Sequence, residues 1–501
     1  MEKFRAFIKS VPITFESWFA SFVAIVVVRI FFEQFSSFLP RHFVLLDLPT
    51  IIHYACAFMT IVILSMITMR VFTKLSFHEI LVNSIFGLFI IWIVPIIDIV
   101  SGGVGGHTIS YIFVSGQELL IRFTTFFGGN LTSGATFGVQ TEVIIVIMIC
   151  FTYIYLVTKN ILRATLAAFT YYCIIFFLFT LPSLIALSLP ASTEPFSAIM
   201  HSVASSQIIQ NNIHPEWSAT SLGLTHLGFN KTMIGVHTII IILSAIFLLF
   251  LEMRGKLIAI IKNSRILRLV CYILMFVFGS MLAKVTFGSW VDILTYLLAL
   301  IALTCAWLFS VCQNDIHDEA IDKVSNSGRP LVTKELSRED LDTASKIFLL
   351  FGFLAAYASG HYVMVFMSLF ILLYYIYSNP PLRIKKFPIL SSFLISLACL
   401  SLILAGFFLV SVEKAIVAFP LELILPTIIL FTVVSNIRDI KDVEGDSVAG
   451  MYTLPVLLGV KRTKMLLGGA MLVPLLISPW YFGSSLLTAP AILVSFLSWR
   501  F

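Results

Sequence analysis

Two acidic clusters hold the residues best suited to chemistry. One reads Asn314-Asp315-Ile316-His317-Asp318-Glu319-Ala320-Ile321-Asp322; the other reads Asn436-Ile437-Arg438-Asp439-Ile440-Lys441-Asp442-Val443-Glu444-Gly445-Asp446. Each spaces three aspartates at i, i+3 and i+7, which on a helix puts three carboxylates on one face. Carboxylates this close repel one another unless a cation lies between them. Hard oxygen donors of this kind suit Mg²⁺, which keeps several waters and shares its remaining positions with substrate phosphates. Two such faces, opposed across a membrane cavity, would cradle a magnesium diphosphate. One cluster alone would more often be a solvated helix end, whereas the matched spacing of two argues for a shared task.

The elements that must position these clusters are apolar helices. Of 501 residues, 59% are hydrophobic and 12% charged, with a mean hydropathy of +1.02. This is the composition of an all-α polytopic membrane protein and excludes an ordinary soluble domain. Fourteen apolar stretches are long enough to be transmembrane helices, six between 15 and 251 and eight between 266 and 500. Threading them with the N-terminus on the cytoplasmic side leaves only Arg29, Arg41, Arg122, Lys231, Lys284 and Lys414, of 32 Lys and Arg, on the far side. Such a skew is what the positive-inside rule requires, and it puts both aspartate clusters on the cytoplasmic side. The net charge of +6 then reflects topology and attraction to anionic membrane lipids. No loop pairs a dense basic patch with interleaved aromatics, so a nucleic-acid partner is not expected. Lys3, Arg5 and Lys9 precede the first apolar stretch, as in a retained signal anchor. The seven cysteines are scattered through apolar segments without a Cys-x-x-Cys pair and read as small buried hydrophobes.

Residues 252–268, with Arg254, Lys256, Lys262, Arg265 and Arg268, mark the clearest internal boundary, a cytoplasmic linker or surface helix. They divide the chain into 1–255, about six helices of unknown role, and 256–501, about eight helices. Within the second part, four motifs follow in order. Asn314-Asp315-x-x-Asp318-x-x-x-Asp322 is followed by Lys323, Asn326 and Arg329-Pro330. Next come Tyr377-Ser378-Asn379-Pro380-Pro381-Leu382-Arg383-Ile384-Lys385 and then Asp439-x-x-Asp442-x-x-Gly445-Asp446, continued by Thr453-Leu454-Pro455. On these motifs the C-terminal half, about 266–501, resembles the UbiA superfamily of intramembrane prenyltransferases.

The resemblance implies a UbiA-like helical bundle around a central cavity, and Mg²⁺-dependent transfer of a prenyl group from a polyprenyl diphosphate, geranylgeranyl-type favoured, to a hydrophobic lipid-precursor or aromatic acceptor. It implies Asp315, Asp318, Asp439 and Asp442 as metal ligands, with Asn314, Asp322 and Asp446 completing or orienting the cluster. Lys323, Arg329, Arg383, Lys385 and Arg438 would bind diphosphate oxygens, and Tyr377 would hydrogen-bond the diphosphate or face an allylic cation. The chain departs from the family in showing eight candidate spans where nine are common, and in Tyr452 at a position that is often basic.

The N-terminal part resembles no family. Arg29 and Glu33 form an i, i+4 pair inside the first span; Asp98 ends the third; Glu118 and Arg122 are a second i, i+4 pair; Glu142 enters the fourth. His107, His201, His214, His226 and His237 lie in or near two long outer loops, roughly 101–138 and 190–233, without metal-ligand spacing. Alternatives to a single transferase are a polytopic lipid or ion transporter, or a bifunctional enzyme with a second site in this half.

Overall fold

The computed structural model describes residues 2–37, 48–100, 111–127, 136–189, 194–212, 221–441, 443–448, 450–481, 483 and 488–500, with only the backbone at Arg438 and some helix-terminal positions. Among the described residues every regular element is a helix and none is a strand. Where water is absent, a helix is the element that satisfies its own backbone donors and acceptors, so continuous apolar sequence folds this way.

The first helices are α1 (Glu2–Ser10), α2 (Phe15–Ser37), α3 (Leu48–Phe72), α4 (Phe77–Leu88), α5 (Ile93–Val100), α6 (Gly116–Thr124), α7 (Phe137–Thr158), α8 (Ile161–Phe179), α9 (Leu181–Ala186) and α10 (Pro195–Ala204). Short α11 (Gln207–Asn212) precedes long α12 (Ser221–Asn263). Then come α13 (Ile266–Leu282), α14 (Trp290–Ser325), α15 (Arg338–Ser359), α16 (His361–Ser378), α17 (Leu390–Val410), α18 (Ile424–Asp439), α19 (Val443–Val448), α20 (Leu454–Leu458), α21 (Val460–Tyr481) and α22 (Thr488–Arg500).

All fourteen expected apolar stretches contain helix. Among the described residues ten segments are long and apolar enough to cross a membrane, while Ile266–Leu282 and Leu421–Ile437 are shorter apolar helices. The expected outer loops contain helices α6, α10 and α11; residues 101–110, 128–135, 190–193 and 213–220, with His107 and His214, lie outside the described residues. The basic boundary segment is helical rather than a linker. It continues α12 past a break at Met253 (φ −139°, ψ 45°), and Arg265 is left-handed before α13.

The chain forms two compact units: Met1–Ser206, Ile213–Met253 and Gly288–Leu294 in one, and Gln207–Asn212, Arg254–Phe287 and Thr295–Phe501 in the other. In the first unit, Asp98 accepts from the Gly138 backbone N–H (2.8 Å) and the Thr136 hydroxyl (2.9 Å), which fixes the start of α7. Asp98 is thus a helix-end partner. The i, i+4 pairs Arg29–Glu33 and Arg122–Glu118 both form.

In the second unit, α13 and α17 cross at Gly279 and Gly406. A Cβ on Gly279 would fall on the Ile403 carbonyl oxygen, and one on Gly406 on the Phe276 carbonyl oxygen. Small residues let helices approach this closely where lipid offers no hydrophobic drive between them. The 36 residues of α14 rise about 54 Å, well beyond a hydrocarbon core of about 30 Å. Its apolar stretch 290–312 suffices to span, so the aspartate-bearing end extends past it.

Candidate functional site

In the second unit the first aspartate cluster is helical to Ser325, so the i, i+3, i+7 spacing puts Asp315, Asp318 and Asp322 together. All three are buried. Burying carboxylates requires partners, and these come from other elements. Asp315 accepts from Asn263 Nδ2 at 2.7 Å at the end of α12, and from Arg265 Nη2. Asp318 accepts from Arg383 Nη2 at 3.0 Å and from Lys385 Nζ, both on the segment after α16. Arg383 Nη2 also donates to the His317 carbonyl at 3.0 Å, while His317 Nδ1 lies 2.8 Å from the Gln313 carbonyl oxygen. Asp322 accepts from Asn326 Nδ2 at 3.1 Å, and the positive charges of Arg329 and Arg265 act on it along with the negative charges of Asp315 and Asp318.

The Tyr377-Ser378-Asn379 segment is fastened to the same helix. Ser378 Oγ donates to Asn314 Oδ1 at 3.1 Å, and Asn379 Nδ2 donates to Gln313 Oε1 at 2.9 Å. Buried Tyr377 stands edge-on to Tyr374 (6.2 Å), which continues into an aromatic group with Phe370, Tyr272 and Trp307. Lys323 is different: it pairs with Glu319 at 2.9 Å and stays 58% exposed.

The second cluster corrects the sequence expectation. Helix α18 stops at Asp439 and α19 starts at Val443, so Asp439 and Asp446 do not share one continuous helical face. Both are nonetheless buried. The break accompanies a close approach: a Cβ on Gly445 would meet Ser325 Oγ and lie 3.1 Å from Ile321 Cγ2. This bare backbone seats the second cluster against the end of the first. Asp442 lies outside the described residues, as does the side chain of Arg438.

Among the described residues no three His, Cys, Asp or Glu side chains converge as a metal cage. The donor chemistry fits Mg²⁺ all the same, because every candidate ligand is a hard oxygen. Asn436 Oδ1, one turn before Asp439, is buried with no hydrogen-bond partner among the described residues. Asn263 and Arg265 were not assigned a site role from sequence, since a lone basic residue at a helix end reads as topology. Only the pairing with Asp315 reveals them.

The first unit holds a buried polar chain of its own. Asn230 Nδ2 donates to Thr50 Oγ1 (3.1 Å), and Asn230 Oδ1 faces His53 Nδ1 (2.8 Å). His53 Nε2 faces Tyr111 Oη (2.6 Å), Tyr111 Oη faces His237 Nε2 (3.0 Å), and His237 Nδ1 faces Thr60 Oγ1 (3.0 Å). Thr60 Oγ1 also donates to the Cys56 carbonyl at 2.8 Å, so in this chain it accepts from His237 Nδ1, and Tyr111 Oη links the two imidazoles. His237 joins His53, a residue with no sequence signal, on facing helices α12 and α3. Tyr111→Phe removes the hydroxyl between the two rings and should destabilise the solubilised protein by about 2–4 kcal/mol, since two buried nitrogens lose a partner. Tyr171→Phe, whose hydroxyl has only a 3.4 Å contact with the Ser65 carbonyl, should change stability by less than about 1 kcal/mol. Equal shifts in thermal or denaturant unfolding would contradict the chain.

Residues 272–501 match the UbiA prenyltransferase family. Homogentisate solanesyltransferase of Arabidopsis thaliana is 32% identical over 37% of this chain and 50% of its own. Naringenin 8-dimethylallyltransferase 2 of Sophora flavescens is 33% identical over 33% of this chain and 43% of its own. The chain thus spans half or less of the length of these two relatives. Digeranylgeranylglyceryl phosphate synthase of Sulfurisphaera tokodaii is 26% identical over 38% of this chain and 68% of its own. A solved UbiA homolog from Archaeoglobus fulgidus, bound to GPP and Mg²⁺, aligns with a TM-score of 0.41 at 20% identity, covering 48% of this chain and 86% of that one. Over residues 272–501 the chain thus matches the UbiA prenyltransferase family.

Proposed function

We propose that the chain is a UbiA-type prenyltransferase whose 256–501 region moves a prenyl group from a polyprenyl diphosphate to a hydrophobic acceptor within the membrane. The observation that carries this is the set of buried carboxylates Asp315 and Asp318, each neutralised by cations from a separate element: Arg265 before α13, and Arg383 and Lys385 after α16. A site that holds anions and cations in balance is prepared for a ligand that carries both. With Mg²⁺ and a diphosphate bound, the carboxylates would hold the metal, and Arg383, Lys385 and Arg329 would bind phosphate oxygens, Arg by paired donors and Lys as a point charge. Asp315, Asp318, Asp439 and Asp442 would be the metal ligands. The bound ion would neutralise the leaving diphosphate.

The remaining work falls to the chain's own groups. Asn314, Asp322 and Asp446 orient the cluster, and Arg438 adds positive charge beside Asp439. As the carbon–oxygen bond breaks, the allylic cation forms against the aromatic faces around Tyr377 and Tyr374, which attract positive charge. Apolar walls exclude the water that would quench it. A geranylgeranyl-type donor and a lipid-precursor or aromatic acceptor are favoured. The N-terminus and both aspartate clusters are assigned to the cytoplasmic side from the distribution of Lys and Arg.

The test uses purified full-length protein with labelled prenyl diphosphates from dimethylallyl to solanesyl. The acceptor panel holds a prenylglyceryl phosphate, homogentisate, a hydroxybenzoate, a dihydroxynaphthoate and a chlorophyllide, each with Mg²⁺ or with excess chelator. Labelling of one acceptor that disappears with chelation is the expected result. Folded protein that labels none of them with any donor refutes the proposal.

A further inference from the structure

The first unit encloses a second apolar space that the aspartate chemistry does not use. Its volume is about 560 Å³, and it lies among α3, α4, α5, α7 and α8, within the range of small-molecule sites. The cavity is elongated. Its wall on α7 runs from Glu142 through Val146 and Cys150 to Tyr153, about 16 Å at 1.5 Å per residue. Most of the lining is apolar, with Tyr171, Ser65 and Cys150 along its length and polar groups at its two ends. At one end Tyr153 Oη accepts from Asn83 Nδ2 at 2.8 Å. At the other stands the Glu142 carboxylate, for which the described residues supply no hydrogen-bond donor, although the charge of ion-paired Arg29 acts on it. Phe86, Phe89 and Ile149, which line the cavity, are also exposed on the surface, so it opens sideways onto apolar surface.

We propose that this cavity binds one isoprenoid chain with a neutral, hydroxyl-bearing head, the hydroxyl donating to Glu142. With carbon–carbon bonds of about 1.5 Å, an extended isoprene unit spans about 5 Å, so about three to four units cover the length of the slot. Among the described residues no Lys or Arg lines the cavity to hold a diphosphate, so this is not a second donor site. The choice of an isoprenoid over an acyl chain rests on the proposed transfer reaction, whose product carries such a chain. The slot and its carboxylate do not depend on that reaction.

The test is photolabelling of the full-length protein in nanodiscs with a diazirine analogue of geranylgeraniol, followed by peptide mapping. Labels are expected on α7 and α8. Geranylgeraniol should compete at least about tenfold better than geranylgeranyl diphosphate or oleyl alcohol. Glu142→Gln, which keeps the volume and removes the charged acceptor, should weaken labelling about tenfold. Val146→Trp should abolish it by filling the slot, and Ile61→Trp does the same from α3 should the first variant fail to fold. Asp315→Ala should leave labelling intact, which separates this site from the transferase centre. Labelling that persists in both tryptophan variants, or equal competition by oleyl alcohol or the diphosphate, overturns the proposal. Loss of labelling in Asp315→Ala, with α7 and α8 unlabelled in the parent protein, assigns the probe to the transferase site and overturns it too.

Discussion

Asp315→Ala and Asp439→Ala are each expected to lower kcat/KM for prenyl transfer by about a thousandfold or more, about 4 kcal/mol of transition-state stabilisation. Asp315 is buried with Asn263 and Arg265 on its two oxygens. Its removal deletes a ligand for the ion that neutralises the leaving group, and it also leaves Arg265 without its counter-charge. The second effect alone would appear as instability, because breaking a buried pair by removing one partner costs about 3–5 kcal/mol. Asp315→Asn therefore belongs in the same experiment: its amide oxygen can still accept from Arg265, so it should fold and remain inactive. The measurement is steady-state transfer at increasing Mg²⁺, with unfolding monitored on the same samples. Residual activity within about tenfold of the parent, only about 1.4 kcal/mol, would end the metal-ligand assignment. Lys323→Ala sets the lower end of the scale. Its ammonium is 58% exposed and paired with Glu319, so its loss should cost no more than about tenfold.

Gly406→Val is expected to prevent the second unit from folding. A Cβ at Gly406 would fall on the Phe276 carbonyl oxygen and 3.1 Å from the Ser280 nitrogen, and Gly279 has the mirror problem at Ile403. These are backbone atoms inside helices, so no side chain can swing away, and α13 and α17 would have to separate. Separation would disturb the packing of Phe407 and Phe408 with buried Ile403 and Phe419 along α17. The expected loss exceeds about 4–5 kcal/mol, enough to unfold an ordinary domain. Yield of monodisperse protein and thermal unfolding report it. Gly469→Val is the control, because a Cβ there meets nothing within 4 Å; equal behaviour of the two variants would show that the crossing tolerates separation.

The resemblance of the C-terminal half rested on motifs that are local in sequence, and locality explains which expectations survived. The first aspartate cluster lies within one helix, so spacing alone was enough to group Asp315, Asp318 and Asp322. The second cluster spans a helix end, and the same spacing misled there: α18 terminates at Asp439, and Gly445 packs its backbone on Ile321 and on Ser325, 120 residues away in sequence. Ion pairs at i, i+4, such as Arg29–Glu33 and Arg122–Glu118, were readable for the same local reason. Asp98, at the end of the third span, anchors the start of α7 through Thr136 and Gly138, a role its position in the sequence did not announce.

By itself, then, the sequence determined the class of molecule, the helices and the oxygen-rich chemistry of the C-terminal half, because hydropathy, helical period and carboxylate spacing act over one or two turns. Tertiary structure alone decided which charges neutralise which. It brought Arg265 and Asn263 to Asp315, Arg383 and Lys385 to Asp318, and His53 to His237 across Tyr111. It also created the slot beside Glu142, which exists only as the space left among helices of the first unit. Such pairings depend on how helix faces meet, and the free energy of burying a charge or leaving a void is set by neighbours distant along the chain.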